Sequence, residues 1–323
     1  MHSAEQLRER FEASLADWLP QGNPDTLYEP IRYAVMAGGK RTRPVLLLMM
    51  GELFGLSPEQ ALPQAVAVEW FHTFTLVHDD IMDHAELRRG RPSVHAKYSQ
   101  PTAILAGDAM LVYCFGLMSR CPSALQKELI GSFVNCALKV CEGQQLDMDF
   151  ERLPAVSVKE YLYMIERKTA ELLAFSAYCG ALLAGAGQQD QQAAYRFGKH
   201  LGVAFQLMDD YLDTFGESQL TGKTPGGDLF RNKKTYLHAK IREQADQQTL
   251  QTLDRLMSDT DSLRENLESV KNLFRSAGVD RLLQNEIECY SEAALQELKR
   301  LSVDPSRKKE LGKLTETLKR RLA

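Results

Sequence analysis

The stretch AVEWFHTFTLVHDDIMD, residues 67–83, decides the fold that we expect for this chain. No proline or glycine interrupts it, and apolar side chains run through it to an acidic end, which predicts a long, largely buried helix. In such a helix Asp79 and Asp83 lie on one face, about 6 Å apart along the axis. Because carboxylates so close repel each other, a cation between them is expected, and oxygen ligands without histidine or cysteine suit Mg²⁺ or Mn²⁺.

The same pattern, Asp-Asp-x-x-Asp, returns in FQLMDDYLD, residues 205–213. A solvated acidic helix end would explain one such motif, but both copies lie among apolar and aromatic residues. Two helices of this kind facing each other would form a carboxylate-lined mouth for several metal ions and a diphosphate. The six candidate metal ligands are Asp79, Asp80, Asp83, Asp209, Asp210 and Asp213.

The rest of the 323-residue chain also favours helices. Apolar residues recur at helical spacing in stretches such as 4–19 and 159–185, whereas strand patterns are almost absent. With 44% hydrophobic residues the chain can bury a sizeable core. These features predict a single all-α domain over residues 1–323.

Charge and cysteine usage exclude several classes of protein. The net charge of −4 and the lack of a basic surface with interleaved aromatics argue against nucleic-acid binding. The longest apolar runs, such as VLLLMM at 45–50, are too short to span a bilayer, and the charged N-terminus lacks the apolar core of a signal peptide. The six scattered cysteines contain no CxxC pair, which favours reduced thiols. We therefore expect a cytoplasmic protein without a transmembrane segment.

Three compact basic stretches could bind the phosphates that the acidic motifs imply. They are GGKRTRP (38–44), ELRRGRPS (86–93) and GKTPGGDLFRNKKTY (222–236). Each alone would also fit an ordinary solvated turn, but two of them closely follow an acidic motif, which favours loops that grip phosphate. The Walker and GxGxxG patterns are absent, so nucleotide binding is not favoured.

Taken in order, these motifs resemble the trans-isoprenyl diphosphate synthases, also called polyprenyl synthetases. The resemblance runs from about residue 30 to 240 and includes EGQQLDMDFE (142–151) and MIERKTAELL (164–173). It implies an isoprenoid synthase-like helical bundle around a deep central cavity, assembled as a homodimer. It also implies isopentenyl diphosphate and an allylic diphosphate as substrates, with three Mg²⁺ ions per site that Mn²⁺ can replace.

The resemblance further assigns roles to matched side chains. The principal metal ligands would be Asp79, Asp83 and Asp209, with Asp80, Asp210 and Asp213 as supporting or water-mediated ligands. The grip on isopentenyl diphosphate would come from Lys40, Arg43, His72 and Arg89. The grip on the allylic diphosphate would come from Arg88, Lys168, Thr169, Gln206, Lys223 and Lys233. Catalytic roles would fall to Asp79, Asp83, Asp209, Lys168 and Arg88.

Phe74 is the candidate determinant of product length. It precedes Asp79 by five residues, about 7.5 Å along a helix, and would form a floor under the growing chain. An aromatic residue here, with no insertion in the first acidic motif, is typical of geranylgeranyl-type relatives. A short-chain synthase is therefore expected, with geranylgeranyl diphosphate favoured over farnesyl diphosphate. The alternative is that Phe74 only packs in the core.

Two further readings remain open at this point. A terpene cyclase also uses an aspartate-rich motif, but its second motif has Ser or Thr where this chain has Asp213, four residues before Glu217. A non-catalytic partner subunit would keep the fold and lose the carboxylates, whereas all six aspartates are present here.

Overall fold

The structure is a computed structural model that describes residues 1–216 and 226–319. Two residues used in the sequence analysis, Glu217 and Lys223, lie outside this part of the chain.

The described residues are mostly helical and include almost no strand, which confirms the all-α prediction. The helices are α1 Ala4–Leu15, α2 Asp25–Val35, α3 Thr42–Leu53, α4 Pro58–Met82, α5 Val94–Lys97, α6 Gln100–Met118, α7 Ser123–Glu151, α8 Val158–Ile165, α9 Glu171–Leu183, α10 Gln188–Phe215, α11 Gly227–Phe230, α12 Tyr236–Gln244, α13 Gln247–Leu256, α14 Thr260–Ser276, α15 Val279–Arg300 and α16 Lys309–Lys319. Short 3₁₀ turns occupy Ala16–Trp18 and Pro305–Lys308, and a π-helical turn occupies Glu166–Ala170. Two short strands, β1 Leu87–Arg88 and β2 Arg91–Pro92, pair antiparallel.

The chain divides into two compact units. Unit 1 comprises Met1–Asn135, Phe175–Tyr195 and Arg300–Leu311, and unit 2 comprises Cys136–Ala174, Arg196–Lys299 and Gly312–Ala323. The first acidic motif belongs to unit 1 and the second to unit 2. A single domain over the whole chain stays a prediction.

Helix α4 is the main element of unit 1, and it confirms the helix expected over residues 67–83. It begins after Ser57, whose backbone N–H donates to Gln60 Oε1 at 3.2 Å, with Pro58 in the first turn. Its middle is buried because aromatic side chains pack there, including Phe71, whose ring centre lies 5.3 Å from that of Phe133. The helix ends at Met82, so the acidic motif occupies its last turn.

A tight hairpin follows the first acidic motif. Arg89 and Gly90 join β1 to β2 with φ angles of 54° and 74°, the two positive values of a type I′ turn. Glycine adopts this conformation freely, whereas arginine does so at a cost. The hairpin therefore fixes Arg88 on a strand and Arg89 at the tip of the turn.

In unit 2, α10 carries the second acidic motif on a helix with one well-packed face. Leu207 and Met208 belong to a buried cluster with Leu237, Ile241 and Phe274. This packing holds the aspartate-bearing turn of α10 in place, because large buried side chains have few alternative positions.

The helix expected over residues 159–185 is present, with a π-helical turn between α8 and α9. This turn contains Lys168 and Thr169, and π turns are frequent at functional sites. Helix α7 approaches it closely at Gly143, where an added Cβ would lie 2.2 Å from the backbone nitrogen of Lys168. Only glycine permits this approach.

Gly143→Ala is expected to destabilise the protein by about 1–3 kcal/mol, because the new methyl group overlaps backbone atoms that cannot move aside cheaply. Gly131→Ala on the same helix is the matched control, since an added Cβ there meets nothing within 4 Å. The control should stabilise the protein by about 0.5–1 kcal/mol through helix propensity. Chemical denaturation of both variants measures these changes, and equal effects would contradict the close approach.

Within residues 1–216 and 226–319, one helix, α6, is long and apolar enough to cross a membrane by length and composition alone. Core helices of soluble proteins pass the same test. The absence of a transmembrane segment therefore stays a prediction.

Candidate active site

The first acidic motif presents two outward carboxylates and one inward carboxylate. Asp79 and Asp83 are half-buried at the end of α4, whereas Asp80 is only 3% exposed. Arg88 donates to Asp80 Oδ1 from Nε at 2.8 Å and also from Nη2, and the same Nη2 lies 3.6 Å from Asp79 Oδ2. Burial raises the pKa of Asp80, and the bonds from Arg88 oppose that rise. Asp80 therefore ties the hairpin to the acidic end of the helix.

The cations expected to hold isopentenyl diphosphate lie close together in unit 1. Arg43 Nη1 donates to His72 Nε2 at 3.2 Å. The Arg89 guanidinium lies over Gly39, where an added Cβ would be 2.8 Å from Cζ of Arg89, and Gly39 has a φ of 140°. Partial burial, followed by the positive charges of Arg43 and Arg89, holds the pKa of His72 well below its ordinary value. A neutral His72 can accept from Arg43 and still offer its other ring nitrogen as a donor. Lys40 is exposed beside Gly39.

In unit 2, two of the predicted allylic-site lysines meet at one buried carboxylate. Asp147 Oδ2 accepts from Lys168 Nζ at 2.6 Å and from Lys233 Nζ at 2.9 Å, and Lys233 also pairs with Glu151 at 2.6 Å. Burial raises the pKa of Asp147, but the two ammonium groups lower it more, so the net shift is downward. The stretch 142–151, which contains Asp147, was part of the family resemblance, but the binding of two lysines by Asp147 was not predicted. The four-residue spacing of Gly143, Asp147 and Glu151 places them on one face of α7, but it does not identify the two lysine partners.

Asp210, the middle residue of the second motif, is also turned inward. Its Oδ2 accepts from the hydroxyl of Tyr161 at 2.5 Å and from the backbone N–H of Tyr236 at 3.1 Å. Its Oδ1 accepts from Gln206 Nε2 at 3.1 Å, and Gln206 Oε1 accepts from Thr169 Oγ1 at 2.8 Å. Burial raises the pKa of Asp210 to about 7. This chain of bonds joins the π turn, α10 and Tyr236, the last residue of the third basic stretch.

The outer carboxylates of the second motif, Asp209 and Asp213, are half-buried on α10. Asp213 Oδ2 accepts from the backbone N–H of Asp228 at 3.0 Å, which fixes the beginning of α11 against α10. In both motifs, then, the middle aspartate lies in the protein interior and the outer pair is half-buried.

The donor set fits a hard divalent ion. Each motif places two half-buried carboxylates one helical turn apart, and oxygen ligands are those that Mg²⁺ prefers. Within the described residues no three acidic, histidine or cysteine side chains converge closely enough to hold an ion by themselves. Mg²⁺ commonly takes one or two carboxylates and completes its shell with water and substrate phosphate.

Asp147→Asn is expected to destabilise the protein by about 3 kcal/mol at pH 7, because it leaves two lysines beside a neutral amide. Since the folded pKa of Asp147 is lowered, its contribution is fully present above the unfolded value of about 3.9 and is lost as pH falls through the folded value. The difference in free energy of unfolding between wild type and variant should therefore be constant from about pH 5 to 7 and shrink below about pH 4.

The exposed Asp149 on the same helix provides the control, Asp149→Asn, which should change stability by less than about 0.5 kcal/mol. Denaturation curves at pH 7 and at low pH test both variants. A pH-independent loss in Asp147→Asn would contradict the role of the carboxylate charge.

Comparisons with known proteins agree with these features. A sequence model of the family described as Polyprenyl synthetase matches residues 24–274. The chain is 42% identical over 228 residues to a geranylgeranyl diphosphate synthase of Methanosarcina mazei, with 70% of each chain covered. It is 36% identical over 306 residues to a geranylgeranyl pyrophosphate synthase of Geoglobus acetivorans, covering 94% of this chain and 92% of that one.

A crystal structure of a geranylgeranyl pyrophosphate synthase matches the fold with a TM-score of 0.95 at 41% identity, covering 99% of both chains. These matches confirm the resemblance found in the sequence. The chain belongs to the polyprenyl synthetase family and is a trans-prenyltransferase.

Proposed function

We propose that this enzyme condenses isopentenyl diphosphate with an allylic diphosphate, head to tail and in the trans sense, to make geranylgeranyl diphosphate. The observation that carries the proposal is the cluster of Arg43, His72 and Arg89 in the same unit as the half-buried pair Asp79 and Asp83. Such a unit offers both a diphosphate grip and metal ligands. The relatives named geranylgeranyl diphosphate synthase support this product, and farnesyl diphosphate is the alternative.

The proposed chemistry begins with cleavage of the allylic C–O bond. Three Mg²⁺ ions, or Mn²⁺ in their place, would supply positive charge to the departing diphosphate when bound. Arg88, Lys168, Lys223 and Lys233 share that charge by pairing with phosphate oxygens. Asp79, Asp83 and Asp209 would be the principal metal ligands in this proposal. Asp80, Asp210 and Asp213 would be supporting or water-mediated ligands.

The remaining steps need an apolar, water-excluding pocket more than acid–base groups. The double bond of isopentenyl diphosphate attacks the allylic carbocation and forms the new carbon–carbon bond. Loss of one proton from the resulting cation restores a double bond, and the released diphosphate accepts that proton. Lys40, Arg43, His72 and Arg89 hold the second diphosphate in place while the bond forms.

Phe74 supports a short product. It is 8% exposed, and its ring centre lies 5.5 Å from that of Phe71 and 4.8 Å from that of His78. His78 is itself held by Ile104 O at 3.2 Å and packs against Gly107. A ring held on both sides cannot swing away cheaply, so it can serve as a floor below Asp79.

We propose further that the enzyme is a cytoplasmic homodimer. Helix α6 exposes a row of large apolar side chains: Ile104, Leu105, Val112 and Tyr113. Leu105 and Val112 are seven residues apart and therefore lie on the same face of the helix. They are 60% and 70% exposed. Contiguous apolar surface of this kind marks interaction sites, and a second copy of α6 is a chemically matched partner. The mass in solution, measured by light scattering, tests this part of the proposal.

Release of inorganic diphosphate tests the reaction class. With Mg²⁺ present, we expect release only when isopentenyl diphosphate and an allylic diphosphate are supplied together, and none after chelation of the metal. Release from the allylic diphosphate alone, with a cyclic hydrocarbon product, would favour a terpene cyclase. No release under any condition would favour a non-catalytic subunit.

A further inference from the structure

Arg41 is a buried cation in the middle of a loop expected to grip phosphate. It lies between Lys40 and Arg43, yet it is only 3% exposed, so its guanidinium does not face a substrate. Its backbone has φ 50° and ψ 31°, the left-handed conformation that costs a residue other than glycine free energy. A buried charge and a strained backbone at one residue need compensation from its surroundings.

Three acceptors provide that compensation. Arg41 donates from Nη1 to Glu69 Oε1 at 2.6 Å, from Nε to Glu12 Oε1 at 2.7 Å and from Nη2 to the carbonyl of Val35 at 3.0 Å. The planar guanidinium holds all three at once, which an ammonium group cannot do in this geometry. Since the acceptors lie on α4, α1 and α2, Arg41 ties these helices together where the loop turns into α3.

Both partners in the Arg43–His72 contact depend on this tie. Arg43 follows Arg41 by two residues, so the backbone conformation at Arg41 determines the position of the Arg43 backbone. His72 follows Glu69 by three residues on α4, so the bond from Arg41 to Glu69 fixes the turn that carries the imidazole.

Helix α1 is firmly attached, so Glu12 is a fixed acceptor. Leu7, Phe11 and Leu15 are fully buried, and His2 pairs with Glu52 at 2.6 Å. Glu12 lies outside residues 24–274, the part of the chain that the family model matches.

We propose that Arg41, held by Glu12 and Glu69, is a positioning residue for the isopentenyl diphosphate grip, so that helix α1 sets the affinity for this one substrate. The inference rests on the proposed function of that grip. Charge alone gives the opposite expectation for Glu12. Neutralising an acidic side chain near Lys40, Arg43 and Arg89 should strengthen binding of an anion, whereas positioning requires that binding weaken.

Glu12→Gln tests the proposal, because the side chain is 32% exposed and its change should leave the fold intact. Exposed Glu9→Gln on the same helix is the matched control with the same change in charge. We expect Glu12→Gln to raise KM for isopentenyl diphosphate about three- to tenfold, with KM for the allylic diphosphate changed less than about twofold. Glu9→Gln should change neither.

Arg41→Lys is a second variant that keeps the charge and loses the three-way geometry. It should raise the same KM further, again selectively. A lower or unchanged KM for isopentenyl diphosphate in Glu12→Gln, or an equal rise for both substrates, would overturn the proposal. Calorimetric titration with isopentenyl diphosphate repeats the comparison without turnover. If the wild type does not convert the two substrates, the proposed function is wrong. The titration still decides whether Glu12 and Arg41 affect binding of isopentenyl diphosphate.

Discussion

Asp79→Asn and Asp209→Asn are each expected to lower kcat by about 10³-fold or more, with little change in the melting temperature. Both side chains are half-buried, and each shares a helix face with a second aspartate one turn along. An amide cannot supply the negative charge that holds a divalent ion. Either change is therefore expected to weaken binding of the metal that we propose stabilises the departing diphosphate. Incorporation of labelled isopentenyl diphosphate, at an Mg²⁺ concentration that just saturates the wild type, measures the effect.

Asp261→Asn, at an exposed position on α14, is the control and should keep wild-type activity. Raising the Mg²⁺ concentration should partly restore the two acidic-motif variants, because their defect is in ion affinity. If either variant retained more than about a tenth of wild-type kcat, that motif would not hold a metal needed for the reaction.

Phe74→Ala is expected to lengthen the product from twenty carbons to twenty-five or more. The change removes the ring between Phe71 and His78 and opens space one to two turns below Asp79. Because loss of a buried ring costs about 3–5 kcal/mol, Phe74→Leu should also be made, and it should give an intermediate product distribution. Chromatography of the dephosphorylated products measures chain length.

Phe115→Ala provides a comparison with a half-buried ring whose centre lies 5.2 Å from that of Phe133. It should lower stability without changing product length. If Phe74→Ala gave the wild-type product, the side chain would only pack in the core.

Periodicity predicted the long helices that carry the acidic motifs, and motif order predicted the family. The acidic ends of α4 and α10 follow from uninterrupted apolar spacing, and the comparisons confirm the resemblance carried by the ordered motifs. The hairpin at Arg89 and Gly90 was not predicted, because strands of two residues show no alternation. The π turn at Lys168 was missed as well, since the helical spacing of apolar residues continues through it.

The inward partners could not be predicted because they depend on tertiary contacts. Nothing local marks Asp147 as the acceptor for both Lys168 and Lys233, which are 21 and 86 residues away. In the sequence, Arg41 is a basic residue like Lys40 and Arg43. Only the structure shows that Arg41 is buried, whereas the other two can face phosphate. Residue type alone does not tell which member of a basic or acidic run points inward.

Sizing the product is the most direct test of the central claim. Purified protein would receive Mg²⁺, isopentenyl diphosphate and, in separate reactions, the five-, ten- and fifteen-carbon allylic diphosphates, and the dephosphorylated products would be sized by chromatography. A single twenty-carbon alcohol from every primer that is accepted is the predicted result. If none of the three primers were elongated, the account would be contradicted.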